Sequence, residues 1–435
     1  MLVLIRRGIA LIFMLALAAC GDDSGHGGSA PILTGQLIGG SGAYPGAVAG
    51  MHFRSRSQSG FTDAGGGFTY VDGESITFGV ADVSFRPAAG APLISPWQLA
   101  ADGGCEQTAE LERLLVLLHS LDLDGDPDNG LALVEVDATA RSRSFATLSE
   151  ADITALVSEL IPGRSPVDAG TAVDSFITQM DGEVWEQIGI DAFPLLTGLV
   201  RSQGLTTDGS AWFFSWRLGL ERTDFDYAVE LSKTTVIPPE IARLGGNHIG
   251  DIDYWNGKLY APIEDGTEYL HPHLVLYDPA TFMPTTIHPL ADVPLTDGVP
   301  WVAVDGPRGN IYVAVWDPTP EIFVLDLTTL QYEGSIPLRT TLGRIQGAKV
   351  FEGSLYASTD NDAKDIFKIN LDTGTVIPLF AFHQPFEEEG LVFLPRPDGS
   401  LLHTLNVSIP VPGTELRHHR RTRDPLRLSV CPSLP

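Results

Sequence analysis

Gly257-Lys258-Leu259-Tyr260, Gly309-Asn310-Ile311-Tyr312 and Gly353-Ser354-Leu355-Tyr356 are three copies of one pattern, Gly-x-[LI]-Tyr, with a degraded fourth copy at Gly399-Ser400-Leu401-Leu402. Each intact copy is followed by an apolar run that stops at Asp or Asn: Leu274-Val275-Leu276-Tyr277-Asp278, Ile322-Phe323-Val324-Leu325-Asp326 and Ile366-Phe367-Lys368-Ile369-Asn370. The glycines stand 52, 44 and 46 residues apart. A period of that length matches one four-stranded antiparallel blade per repeat. The strand-rich segment Ala211-Trp212-Phe213-Phe214-Ser215-Trp216-Arg217-Leu218 completes the last blade or makes another. The expectation is a closed β-propeller over 206–412 with about five blades, six being the alternative. An open solenoid is disfavoured, because nothing resembles a capping repeat.

The run Pro300-Trp301-Val302-Ala303-Val304-Asp305 before Gly309-Asn310-Ile311-Tyr312-Val313 resembles the inner strand of YVTN and NHL-type β-propellers. Aligned on their glycines, the repeats open their inner strands at His248, Pro300, Gln346 and Glu389, with Asp251 and Trp301 in or beside the same strands. Residues that open inner strands gather at one mouth of a propeller channel, so His248, Asp251, Trp301, Gln346 and Glu389 form the expected ligand site. Glu387-Glu388-Glu389-Gly390-Leu391 is similar to the Glu-Gly motif of gluconolactonase-like propellers. That resemblance implies a divalent metal held by Glu389, with Gln346 and His248 as neighbours, and a lactone-hydrolysing enzyme as the competing function. The Asn and Asp ligands of that family are not placed by the alignment. Polar residues bonded to one another and to water account for the same positions.

The first twenty residues set the compartment. Arg6 and Arg7 precede the apolar run 8–17, which is too short to span a bilayer and reads as a signal peptide over 1–19. Leu17-Ala18-Ala19-Cys20 resembles the lipobox of bacterial lipoproteins, which implies acylation of Cys20 and a polar tether over 20–34. The expected location is therefore the bacterial cell envelope, lipid-anchored, with the outer membrane as default because Gly21 carries no retention signal. Of three cysteines, Cys105 and Cys431 then remain, and an oxidising compartment favours a bridge between them. Two buried thiols are the alternative.

Residues 35–98 alternate apolar and polar positions between Gly, Asp and Ser turns and read as a small β-sandwich-like module. Within it, the stretch from Gly60 to Tyr70 resembles a hairpin of carboxypeptidase-regulatory domains. A helical connector is expected over 99–205, with helices from Glu106, from Ser149 as a capping residue, and from Ser165-Pro166. Between the first two lies an acidic loop. Asp124, Asp126, Asp128 and Glu135 fall at positions 1, 3, 5 and 12 of a calcium loop, although Asn129 replaces the usual Gly and the chain beyond Glu135 looks like a strand rather than a helix. Calcium and a plain solvated turn both fit. The tail 413–435 is basic and reads as a strap over an acidic face of its own protein.

The chain is a mainly β protein of 435 residues with net charge -28, which disfavours a nucleic-acid partner. No nucleophile elbow, phosphate loop, dinucleotide fingerprint or zinc-protease motif occurs, so no organic cofactor is indicated. Whether the protein is an enzyme stays open. A membrane-anchored module binding a protein or glycan ligand is the leading expectation, and the divalent-metal hydrolase is its alternative.

Overall fold

The computed structural model describes residues 30–39, 46–100, 105–126, 129–136, 143–266, 268–408 and 413–431. The signal peptide, Cys20 and Asp128 lie outside the described residues. Among the described residues, no helix is long and apolar enough to cross a membrane.

Five four-stranded antiparallel blades form a closed ring. The first comprises Gly204–Thr207, Trp212–Trp216, Gly219–Thr223 and Val229–Lys233. In the second, the inner strand is split into His248–Ile249 and Asp253–Trp255, both paired with Lys258–Glu264, beyond which lie His273–Tyr277 and Pro284–Pro289. Ala303–Asp305 and Ile345–Phe351 are the inner strands of the third and fourth blades. The fifth blade begins with Phe386–Phe393, continues through Leu402–Ser408 and Gly413–Arg423, and takes its outermost strand, Val184–Phe193, from far upstream. Each inner strand packs beside the next, and Phe386–Phe393 lies against Gly204–Thr207, which closes the circle.

Turn chemistry explains why the repeats look alike. Asn256-Gly257 and Glu352-Gly353 are two-residue loops with positive φ at both positions (45° and 78°, 48° and 75°), the turn whose twist matches paired strands. At the same ends, Asp278, Asp326 and Asn370 each use a side-chain oxygen to accept bonds from the hydroxyl of the Thr three residues on (2.9, 2.8 and 3.1 Å) and from nearby amides. The tyrosines of the motif, Tyr260, Tyr312 and Tyr356, are buried between blades.

Two boundaries differ from the sequence expectation. The ring is closed by Val184–Phe193, inside the stretch read as a helical connector, and Ala211–Leu218 belongs to a complete blade of its own. This strand is an edge strand with a mixed burial pattern and no repeat signature, so periodicity does not find it. The basic tail is likewise a blade strand: Gly413–Arg423 pairs on both sides, and Arg417, His418 and His419 are buried in it. The expected acidic counterpart exists as the neighbouring strand, where Glu186 meets Arg420 at 2.7 Å and Asp191 meets His418 at 2.9 Å.

Upstream, two small sheets face each other across Phe53, Phe68 and Phe78. Ser59–Phe61 and Gly67–Val71 belong to different sheets, so the segment Gly60 to Tyr70 turns a corner instead of forming the expected hairpin. Ser149 caps helix Glu150–Leu160, with the Asp152 amide donating to its hydroxyl at 3.2 Å. Helix Ala109–Ser120 joins the two halves of the molecule. Leu114, Leu117 and Leu118 pack into the β module, while Leu111 and Leu115 meet helix Ala169–Asp181, Leu426 and Cys431. Cys105 and Cys431 are bonded, with Cα atoms 6.0 Å apart across 326 residues of sequence.

Candidate binding cavity at the propeller axis

A polar plug fills the axis. Asp251 is 0% exposed and accepts bonds from the Leu205 amide of the first blade (3.0 Å), the Ala348 amide of the fourth (3.2 Å) and the Lys349 ammonium (2.6 Å). Its backbone pairs with Trp301 in the third blade. Asp253, two residues on, accepts from the Thr206 hydroxyl at 3.1 Å and the Val304 amide at 2.9 Å. One short strand thus ties four blades together. Burial pushes the Asp251 carboxyl up to about 7 against the pull of Lys349, and raises that of Asp253 as well.

Above the plug lie the strand openers that the repeats bring together. His248 bonds Glu264 at 2.8 Å through Nδ1 and the Gln203 amide oxygen through Nε2, while the Gln203 amide reaches Glu389 at 3.5 Å. Burial pushes the Glu389 carboxyl well above the usual carboxylate range, and nearby Glu387 and Asp360 add to the effect. Gln346 sits in a β-bulge, half-buried. Three of the five expected site residues are buried there, Glu389 at 2% exposed among them. Trp301 is 0% exposed, within the apolar cluster that includes Ala303, Ala348 and Leu355, and Asp251 is wholly engaged in the plug. Both are apolar-strand neighbours of the openers by sequence, but the pleat turns them into the ring.

The described residues do not bring the expected metal ligands together, and Asp128 of the acidic loop lies outside them. His248 and Glu389 are linked through Gln203, and among the described residues no three His, Cys, Asp or Glu side chains converge on a common point. In the acidic loop, the Asp124 carboxylate accepts from the Asn129 amide at 2.8 Å and the Asp126 amide at 2.9 Å, whereas Glu135 is exposed beside Gly50. Its neighbour Asp122 is buried instead and accepts from the Ala132 amide at 2.9 Å.

Below the plug, at the opposite ends of the same inner strands, lies a cavity of about 910 Å³. Every blade contributes: Thr207, Trp255, Gly306, Phe351 and Phe393 mark the five strand ends. Its outer wall is Cys105-Glu106-Gln107, the segment pinned by the disulfide, together with Arg427. Arg427 donates to the Cys105 carbonyl at 3.1 Å and pairs with Asp181 at 3.4 Å. Lys349 and Asp253 form the floor.

No known family matches. Neither a family model nor a curated protein is similar to the chain. Among solved structures, one titled "Crystal structure of Nidogen/Laminin Complex" is 15% identical over 43% of this chain and 66% of that one, with a TM-score of 0.33. The hydrazine synthase of Kuenenia stuttgartiensis is 16% identical over 48% of this chain and 56% of that one, with a TM-score of 0.32. This chain therefore spans just under two thirds of the first and a little over half of the second. The five-bladed ring rests on its own strand pairing.

The cavity residues escape a reading based on strand openers, yet the repeats hold a signal for them. Asp253 and Lys349 occupy one register, opposite Tyr260 and Tyr356, and they are the charged residues of otherwise apolar inner strands. Trp255 and Phe351 come two residues later in that register, at the far end of the same strands.

Proposed function

We propose that this chain is a lipid-anchored binding protein of the bacterial cell envelope that takes a small ligand in the cavity under the axial plug. One observation carries the reading: all five inner strands and the disulfide-pinned segment converge on a single space of about 910 Å³, within the usual range of roughly 300–1,000 Å³ for ligand sites. Anchoring through Cys20 at the outer membrane rests on the sequence of the first twenty residues. It agrees with the Cys105–Cys431 bridge, since such bridges persist in oxidising compartments. Loss of labelled palmitate in Cys20→Ser checks the anchor.

The cavity is tested by thermal unfolding of the detergent-solubilised full chain with neutral oligosaccharides, sugar acids, cationic amines and lactones. Gln107→Trp fills the space from its outer wall, outside the propeller core. Stabilisation of the wild type by at least one class, abolished by Gln107→Trp, is the expected result. Stabilisation that survives the filling variant, or none with any class, overturns the reading.

A further inference from the structure

We propose that the cavity takes a neutral saccharide, stacked on the Trp255 indole. The inference rests on the cavity being a ligand site and adds the chemistry of what enters. Around the cavity, carboxylates outnumber cationic side chains five to three, which disfavours an anionic ligand. The cations are also committed: Lys349 to Asp251 at 2.6 Å, Arg308 to Asp372 at 3.0 Å, and Arg427 to Asp181 at 3.4 Å.

The carboxylates are committed in turn. Glu352 receives both guanidinium nitrogens of Arg421 at 2.7 and 3.1 Å, and Asp253 is held by neutral donors beside Lys349. A cationic ligand would therefore meet three cations and gain no unpaired carboxylate apart from exposed Glu106 at the rim. What remains is charge already compensated within the protein, which still offers lone pairs and N–H groups to hydroxyls.

The walls add flat apolar faces. Phe351 and Phe393 stack with ring centroids 4.1 Å apart, and Trp255 is 39% exposed. The indole is braced from behind: a Cβ on Gly306 would lie 1.8 Å from it, so Gly306 exists as the slot in which the ring sits. A pyranose ring has the matching shape, one face of C–H groups that packs on an aromatic plane and a rim of hydroxyls that bonds compensated charges.

The test titrates the full chain in detergent with maltotriose, cellotriose and triacetylchitotriose, following tryptophan fluorescence and calorimetric heat. At least one trisaccharide should bind with Kd below about 1 mM. Trp255→Ala should weaken it by about tenfold or more, with Trp255→Phe keeping most of the affinity. Gly306→Ala, whose added methyl meets the Trp255 indole, should weaken it too by displacing the ring, and Trp255→Phe should leave the melting temperature unchanged. No binding of any of the three at about 10 mM, or binding indifferent to Trp255→Ala, overturns the inference. If sugar acids or amines bind and Gln107→Trp blocks them while neutral trisaccharides do not bind, the saccharide falls and the cavity reading stands.

Discussion

Replacing Lys349 by Met isolates the axial plug. Methionine keeps most of the volume and removes only the ammonium, leaving Asp251 with two amide donors and no cation in a fully buried position. At 2.6 Å and an effective dielectric of about 20, the lost attraction is roughly 6 kcal/mol. The protein need not lose all of it, because Asp251 escapes by taking up a proton. Because burial already holds the wild-type carboxyl at about 7, that uptake costs under about 1 kcal/mol at pH 7 and about 1.4 kcal/mol more for each unit above it, which sets the ceiling on the loss. A carboxyl whose folded pKa is raised contributes stability that is fully present below its unfolded value and lost as pH rises through the folded one. The penalty of Lys349→Met should therefore be small and flat below pH 7, where wild type and variant both take up the proton, and grow by about 1.4 kcal/mol per unit as pH rises from 7 towards 9. Urea unfolding of wild type and variant at pH 7 and pH 9 reads both numbers, and the double variant with Asp251→Asn should recover most of the loss at pH 9. A loss under about 1 kcal/mol at pH 9, or one that does not grow between pH 7 and pH 9, refutes the plug as an ion-paired hub.

Three further outcomes follow from buried partners elsewhere. Glu183 accepts from Lys368 (2.5 Å), Tyr356 (2.6 Å) and Trp185 (2.9 Å), so Glu183→Ala should cost about 3–5 kcal/mol in urea unfolding, and Lys368→Met should cost a similar amount. Cys431→Ser should cost about 3–5 kcal/mol, with hydrogen exchange quickening first in 184–193 and 413–423. Burial pushes the His119 imidazole down to about 4, so its contribution is complete above the unfolded value of 6.5 and is lost as pH falls; between pH 6.5 and 5, His119→Gln should lose about 2 kcal/mol less than wild type.

The blades were legible because each repeat spends its sequence on local turn chemistry. Asp278, Asp326 and Asn370 make the same side-chain bonds three times over, and the Gly of each Gly-x-[LI]-Tyr sits at positive φ. The disulfide was legible from the cysteine count and the compartment expected from the first twenty residues. Ring closure was not, because Val184–Phe193 borrows its identity from a partner strand more than two hundred residues away. Only Trp185 and Phe193 are buried along it, and its charges answer Arg420 and His418 instead of following a period of two. The arginines and histidines of Gly413–Arg423 misled for the mirrored reason: a basic run reads as solvated until an acidic strand and the rings of Phe382 and Phe386 lie beside Arg417. His248 and Glu389 are linked through Gln203 at one end of the ring, but sequence gives no account of which strand end is plugged and which is hollow. Lys349 and Asp251 decide that, through a contact across 98 residues.

The place of the cavity follows from how the ring closes. The upstream strand Val184–Phe193 emerges from helix Ala169–Asp181, which packs on helix Ala109–Ser120, and the downstream strand Gly413–Arg423 runs into the short helix Leu426–Val430 that ends at Cys431. The two chain segments that zip the fifth blade are thus the same two that hold the N-terminal half against the propeller. Asp181 couples them again, accepting from Asn370 of the fourth blade at 2.9 Å and pairing with Arg427 of the C-terminal helix. A molecule bound between Trp255 and Gln107 touches both the blade ends and the pinned segment, so it binds only when the ring is shut. By linkage, any ligand of this cavity stabilises closure of the fifth blade by the same free energy with which closure favours the ligand.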